Sequence, residues 1–156
     1  MLFCYVGEFM RILSLDIGEK RIGIAVSDPL GITANGLMTL ERVGVRKDCD
    51  KIIALIDEHK CEKVVIGLPL MLDGSFSPQT EKVREFARIL KNKLKSSGRS
   101  KIGLVYYDER FTTSIAERVL IDADLSRKKR KEVIDKQAAT IILTDYLSSN
   151  SPDIPV

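Results

Sequence analysis

Histidine and cysteine are scarce in this sequence, which has one His, three Cys and no Trp among 156 residues. The lone His59 lies in a polar stretch at a predicted helix end, so a Ser/His/Asp or Cys/His catalytic unit is disfavoured. Cys4, Cys49 and Cys61 match no zinc-binding spacing, and any disulfide would leave one thiol over. We therefore expect free thiols in a reducing, cytoplasmic compartment.

Long apolar runs are also absent. No stretch approaches the ~18 residues of a membrane span, so the sequence predicts no membrane association. Apolar residues make up 44% of the chain and charged residues 30%. At this chain length, such a composition is typical of one globular domain. We expect this domain to cover residues 10–147. Residues 1–9 form an N-terminal extension without a secretory signal, with Met1 and Met10 both open as the start, and residues 148–156 form a frayed tail.

The net charge of +3 permits a nucleic-acid partner without requiring one. Positive charge is concentrated in residues 127–136, which contain six cations and two acids. Lys128, Lys129 and Arg130 form the centre of this basic run, at the start of a predicted helix. The run is either a solvated helix start or a surface that binds phosphates.

Apolar periodicity predicts a mixed sheet. Alternating or continuous apolar residues indicate strands at 11–17, 21–27, 32–40, 63–68 and 102–107. Helical spacing indicates helices at 45–59, 80–96, 112–121 and 129–147. Short turns make the first three strands an antiparallel meander, and the helical connections make the last two strands parallel. The predicted fold is therefore α/β, a five-stranded mixed sheet with helices on both faces.

Acidic residues occur where this fold places ligands. Asp16 lies in an apolar strand, on the same predicted face as Ile12 and Ser14, and Gly18 beside it permits close approach of a phosphate or a backbone. Asp108 and Glu109 follow the last predicted strand at its carboxyl end. Structural roles remain open: Asp16 as a cap of the adjacent turn, and Asp108 as a cap of the next helix.

Asp135 is the third acid, at the edge of the apolar stripe of the last helix. Ala138 and Ala139 beside it allow the helix to pack closely on the sheet, while a pair with Lys131 is the structural alternative. Three carboxylates at one sheet edge suit Mg²⁺ or Mn²⁺, which prefer oxygen ligands and assist phosphodiester cleavage. We expect one or two such ions.

Four segments, in order, resemble the YqgF family of RuvC-like, ribonuclease H-fold nucleases, which act on Holliday junctions or on the precursor of 16S rRNA. The segments are Asp16–Asp28, Gly67–Pro69 with Asp73-Gly74, Asp108–Thr113 and Asp135–Ala139. The resemblance spans residues 10–147. It implies a ribonuclease H-like fold and a metal-binding, catalytic set of Asp16, Glu109 and Asp135. It also implies that Lys20, Arg21 and Arg110 contact phosphates, and that Thr112 and Thr113 order the site.

One difference from the RuvC type concerns the second acid. RuvC-type resolvases carry it around the fourth strand, whereas here that strand ends in Gly67-Leu68-Pro69, so the acid must be Asp108 or Glu109. RNA and DNA both remain open as substrates, and so do a monomer and a homodimer.

Two other functions are considered. A non-catalytic nucleic-acid-binding factor would use the same basic residues, with Tyr106, Tyr107 and Phe111 stacking on bases, although the two tyrosines also suit a strand core. An actin-like nucleotide-binding protein would need two such domains, and the chain has room for one.

Overall fold

A computed structural model describes residues 11–108, 127–149 and 153–156. Its helices and strands follow in the order β1 (Arg11–Ile17), β2 (Arg21–Ser27), β3 (Ala34–Glu41), α1 (Val45–His59), β4 (Cys61–Leu68), α2 (Pro78–Ser96), β5 (Gly103–Asp108), α3 (Arg127–Ser148) and β6 (Ile154–Pro155). The predicted helix at 112–121 falls outside the described residues. Within the described part of the chain, no helix is long and apolar enough to cross a membrane.

The strands form one mixed sheet in the order β3-β2-β1-β4-β5-β6. Strands β1, β2 and β3 are antiparallel neighbours, while β4 and β5 continue the sheet parallel to β1. The predicted fold class is confirmed, with six strands rather than five.

The sixth strand lies in the segment predicted to be a frayed tail, and for residues 153–156 this prediction is wrong. Ile154 and Pro155 pair antiparallel with Tyr106 and Val105 of β5. A two-residue strand has no apolar period to detect in the sequence. The segment is instead held by tertiary contacts next to it, because Lys63 on β4 donates to the Asp153 carboxylate at 2.8 Å.

Apolar residues on the two faces of the sheet form two separate clusters. Leu13 and Leu15 of β1 belong to the cluster that contains buried residues of α1 and α2, such as Ile52 and Phe86. On the opposite face, Ile12 of β1 packs with buried residues of α3, namely Ala139, Ile142 and Leu143. The predicted placement of helices on both faces is confirmed.

Local sequence explains where helices begin. Helix α2 begins at Pro78, two residues before the predicted start, because Ser77 forms a capping box with Thr80. Helix α3 begins at Arg127, two residues before the predicted start at 129, so the whole basic run lies in its first turns. Lys and Arg are good helix formers, which allows the helix to include them.

Candidate functional site

Asp16 is the next-to-last residue of β1 and is partly exposed. Leu13, Leu15 and Ile17 belong to the α1–α2 cluster, whereas Ser14 reaches α3. Because side chains alternate along a strand, Asp16 lies on the face that α3 covers. The predicted alternation of β1 is therefore confirmed, and it places this carboxylate at the carboxyl edge of the sheet.

Glycines occupy the positions on either side of Asp16. Gly23 of β2 is its cross-strand partner, and Gly67 of β4 lies one step beyond the pair formed by Leu15 and Ile66. Neither position carries a side chain on the α3 face, so the space beside the carboxylate is not filled from the neighbouring strands. Neither glycine was predicted as a site residue, although a glycine inside a strand often marks a close approach of a ligand.

Helix α3 crosses this face in a direction that brings its first half toward Asp16. The Ser14 hydroxyl donates to the Ala139 carbonyl oxygen at 2.7 Å. Farther along the helix, Tyr146 accepts from Lys63 near the amino end of β4, at 2.9 Å. The helix therefore runs from the carboxyl edge of the sheet toward its amino edge, and the backbone of Asp135 lies one turn before Ala139 on the side of Asp16. The Asp135 side chain is outside the described part of the structure.

Asp108 lies on the other face of the sheet. Leu104 and Tyr106 of β5 pack with the α1–α2 cluster, while Val105 and Tyr107 pack with the α3 cluster. Alternation assigns Asp108, the last residue of β5, to the face of Tyr106. The structure thus separates Asp108 from the face of Asp16, and Glu109 falls outside the described residues.

The described side chains alone do not complete a metal centre. Among residues 11–108, 127–149 and 153–156, no three His, Cys, Asp or Glu side chains form a group that could hold a metal ion. Two of the three predicted ligands, Glu109 and Asp135, have no described side chain. Asp16 supplies a carboxylate oxygen, the ligand type that Mg²⁺ and Mn²⁺ prefer.

A tight turn follows Asp16 directly. The Gly18 amide donates to the Arg21 carbonyl oxygen at 2.9 Å. A Cβ added at Gly18 would lie 2.9 Å from the same oxygen, which is too close for any other residue without a shift of the backbone. The sequence predicted that either a phosphate or a backbone approaches Gly18. The structure shows the backbone of the turn itself, at the Arg21 carbonyl.

Three hydrogen bonds from distant parts of the chain hold this turn. Arg42 donates from Nη1 to the Gly18 carbonyl at 2.8 Å and from its backbone amide to Lys20 at 2.9 Å. Gln79, at the start of α2, donates from Nε2 to the Ile17 carbonyl at 3.0 Å. Sequence reasoning missed both residues, since they contact the turn across more than 20 positions of sequence and carry no local signal.

Arg42 is itself fixed by a buried acid. The Asp48 carboxylate is fully buried, lies 3.2 Å from Arg42 Nε and accepts from the Val43 amide at 3.0 Å. The guanidinium also stacks over the Phe86 ring at 5.4 Å. A buried carboxylate needs such partners, and in turn it restricts Arg42 to the position from which it binds Gly18.

The structure describes the side chains of only some of the predicted phosphate-binding residues. Lys20 is exposed in the turn. Arg21 opens β2 and forms an ion pair with Glu41 of β3 at 3.2 Å. Lys128, Lys129 and Arg130 lie in the first turns of α3, with side chains outside the described part. Arg110, Thr112 and Thr113 fall outside the described residues.

Tyr106 and Tyr107 are partly buried strand residues on opposite faces. The Tyr107 ring contacts Tyr146 edge to face, with centroids 6.4 Å apart. Burial raises the pKa of Tyr107, and the carboxylates of Asp145 and Asp108 add to this effect, so its phenol stays neutral. The interpretation as core strand residues is confirmed for both, while Phe111 lies outside the described residues.

Comparison with known proteins gives a consistent family. A family model described as "RuvX: Holliday junction resolvase" matches residues 10–149. A protein of Syntrophomonas wolfei named "Putative pre-16S rRNA nuclease" is 50% identical over 142 residues, which cover 91% of this chain and 96% of that protein. A Clostridium kluyveri protein of the same name is 46% identical over 138 residues, covering 88% and 96% of the two chains.

Solved structures show the same fold at low identity. Thermus thermophilus RuvC in complex with a Holliday junction substrate matches with a TM-score of 0.59 and 14% identity, covering 94% of this chain and 99% of that one. Fowlpox virus resolvase, solved with Holliday junction DNA, matches with a TM-score of 0.54 and 14% identity, covering 90% and 100%. At this identity the likeness shows the fold, which is the ribonuclease H-like fold expected from the sequence.

Proposed function

The chain belongs to the RuvX family, described as Holliday junction resolvases, and on this premise we propose that it is a divalent-metal-dependent endonuclease whose site is centred on Asp16. Family membership confirms the expected resemblance and assigns the chain to the nucleases. The metal, the site residues and the substrate are parts of the proposal.

The position of Asp16 is the observation that supports the proposal most strongly. Its carboxylate lies on the α3 face, beside glycine positions of both neighbouring strands, at the edge of the sheet where α/β proteins bind ligands. The turn after it is fixed by Arg42 and Gln79. A carboxylate that lies beside two positions without side chains and is followed by a rigid turn suits a cation and a phosphate.

Mg²⁺ or Mn²⁺ is the proposed cofactor, held by Asp16, Glu109 and Asp135. When bound, such an ion activates a water and stabilises the leaving oxygen of a phosphodiester. Register along β5 pairs Asp108 with Leu68, on the face opposite to Asp16, and this favours Glu109 over Asp108 as the second acid. The first half of α3 brings the backbone of Asp135 toward the same edge.

Cations around this edge are proposed to bind the substrate backbone. Lys20 is exposed in the turn that follows Asp16. Arg21 forms an ion pair with Glu41, whose side chain is exposed. Breaking such an exposed pair costs little free energy, so Arg21 can exchange Glu41 for a phosphate. We further propose substrate contacts from Arg110, Thr112, Thr113, Lys128, Lys129 and Arg130.

Structured RNA, specifically the 5′ region of precursor 16S rRNA, is the favoured substrate because relatives of 46–50% identity carry that name. Branched DNA is the second candidate, supported by the family description. The proposal includes a cytoplasmic location, where ribosomal RNA is processed and thiols stay reduced.

Cleavage by the parent and by the Asp16→Asn variant tests the function. Asn keeps the size of the side chain but removes the charge that holds a cation, so we expect cleavage to fall at least 100-fold, which is about 3 kcal/mol of lost stabilisation. Labelled precursor RNA and a four-way DNA junction are assayed side by side with Mg²⁺, Mn²⁺ or EDTA. A matched control is Asp50→Asn, an exposed acid of α1.

Two outcomes would contradict the proposal. If Asp16→Asn cleaves as fast as the parent, Asp16 is not part of the site. If the parent binds both substrates and cleaves neither with any metal, the chain acts as a nucleic-acid-binding factor.

A further inference from the structure

A groove of about 490 Å³ lies beside α2, on the face of the sheet opposite to Asp16. Four cations of one helix line it: Arg84, Arg88, Lys91 and Lys95. Their spacing of four, three and four residues puts them on one side of α2, over a length of about 16 Å. Glu81 and Glu85 of the same helix also line the groove, so its basic wall carries four cations and two carboxylates.

Three of these cations, Arg84, Arg88 and Lys95, contribute little to holding the fold, whereas Lys91 donates from Nζ to the Val156 carbonyl oxygen at 2.6 Å. Arg84 and Arg88 form ion pairs within the helix, with Glu81 at 3.5 Å and with Glu85 at 2.6 Å, and their side chains are exposed, as is that of Lys95. Exposed pairs of this kind are worth a few tenths of a kilocalorie per mole. Elsewhere on α2 the pattern is different, since Lys82 pairs with Glu19 in the β1–β2 turn and Lys93 pairs with Asp50 of α1.

Two aromatic rings accompany the basic wall at its first cation. The guanidinium of Arg84 lies over the Phe76 ring, 4.8 Å from its centroid. Phe76 remains 53% exposed although it is a large apolar residue. On the floor of the groove, Tyr106 is partly buried and lies close enough to Arg84 to interact with it.

Phe76 also connects the groove to the edge of the sheet that carries Asp16. It pairs with Leu70 in an isolated bridge, in the loop that leads from the end of β4 to the start of α2. Gln79, three residues later, binds the backbone of Ile17 next to Asp16. A strand that passes over this edge would meet Phe76 first and then the cations of α2 in order.

We infer that this groove binds a single-stranded flank of the nucleic acid that is cleaved at Asp16. The inference rests on the proposed function. An exposed ring beside a line of cations fits unpaired nucleotides, whose bases are free to stack while their phosphates follow the basic wall. A duplex offers phosphates but no free base for Phe76.

Binding measurements separate this inference from cleavage. The probes are a labelled RNA hairpin with a single-stranded extension of about 8 nucleotides and the same hairpin with a blunt end. Both are titrated in EDTA against protein that carries Asp16→Asn, so no cleavage is needed for the readout. The groove variant is Arg84→Gln, Arg88→Gln and Lys95→Gln, and the matched control is Arg46→Gln, Lys47→Gln and Lys51→Gln on exposed positions of α1.

The groove variant should bind the extended hairpin about tenfold or more weakly than the control variant, and the slope of log affinity against log salt should flatten by about 2. Binding of the blunt hairpin should be the same for both variants. Phe76→Ala, which removes no charge, should weaken binding of the extended hairpin about tenfold. Equal melting temperatures show that the variants are folded.

Equal losses in the groove and control variants, or equal losses on the extended and blunt probes, would overturn the inference. The proposed function fails separately. If the parent cleaves in an Asp16-dependent way but the groove variant binds normally, only the groove is wrong. If the extension is bound through the groove and no Asp16-dependent cleavage occurs, only the nuclease site is wrong.

Discussion

The hydroxyl of Ser14 donates to the carbonyl oxygen of Ala139 at 2.7 Å, and this bond joins strand β1 to helix α3 inside the core. Ser14 precedes Asp16 by two residues on the same face, and Ala139 follows Asp135 by one helical turn. One buried hydrogen bond therefore fixes the distance between the two elements that carry the first and third acids of the proposed site.

Ser14→Ala should reduce both stability and cleavage. The change leaves the Ala139 carbonyl without its side-chain donor, at a cost of about 1–3 kcal/mol. The resulting shift of α3 relative to β1 should lower cleavage about 10-fold to 100-fold. Ser27→Ala is the matched control, because Ser27 is equally buried and accepts from the Ile12 amide at 2.9 Å near the amino end of β1. Urea unfolding and cleavage of both variants should show similar destabilisation and a loss of cleavage for Ser14→Ala alone.

Gly18→Ala should distort the turn after Asp16. The new Cβ would lie 2.9 Å from the Arg21 carbonyl oxygen, a backbone atom that cannot move aside easily. We expect a destabilisation of about 1–3 kcal/mol together with a loss of cleavage. Gly103→Ala is the control, since a Cβ there meets nothing within 4 Å and should change stability by less than about 1 kcal/mol. Similar melting temperatures for the two variants would contradict the strain at Gly18.

Asp135→Asn should change the response to metal. Neighbouring carboxylates repel without a cation, so in EDTA the variant should be at least as stable as the parent. With Mn²⁺ at about 100 times its Kd the parent should gain about 2.7 kcal/mol, and the variant should gain less. The alternative pair with Lys131 predicts a loss of at most about 0.5 kcal/mol that does not depend on metal. Melting curves with EDTA and with Mn²⁺ distinguish the two, and equal gains would remove Asp135 from the site.

Lys128→Gln, Lys129→Gln and Arg130→Gln together should flatten the salt dependence of nucleic-acid binding by about 2 to 3 units of slope. Gln is used because these positions lie in the first turns of α3 and Gln is a good helix former. Removing cations from a helix start should not lower stability. Binding at several salt concentrations checks the slope, and an unchanged slope would make the run a solvated helix start.

Acid should weaken the attachment of β6. The hydrogen bond from Lys63 holds the pKa of Asp153 below its ordinary value of 3.8, with a second contribution from Tyr146. The pair therefore stabilises the fold above pH 3.8, and the stabilisation is lost as the pH falls below this value through the folded-state pKa. Asp153→Asn should lower the melting temperature at neutral pH, by an amount equivalent to less than about 1 kcal/mol. The difference from the parent should vanish in acid, and a difference that persists there would assign the effect to something other than charge.

Periodicity and local chemistry were enough to predict most of the fold. Helix α1 was predicted at its observed bounds, and the alternation of β1 correctly assigned Leu15 and Asp16 to opposite faces. These features are local, since the period of apolar residues records which face of a strand or helix is buried. The four motifs that resemble the YqgF family are also segments of sequence, and the family they indicated is confirmed.

Only the tertiary structure decided which groups meet. Arg42 binding Gly18, Gln79 binding Ile17 and Tyr106 pairing with Ile154 join residues 24, 62 and 48 positions apart. The face on which Asp108 lies likewise depends on its register beside Leu68 in the assembled sheet. Apolar patterning predicts helices and strands because each segment carries its own pattern of buried residues. Hydrogen bonds between segments depend on strand register and on the direction in which a helix crosses the sheet. Register and crossing direction exist only after the sheet has formed.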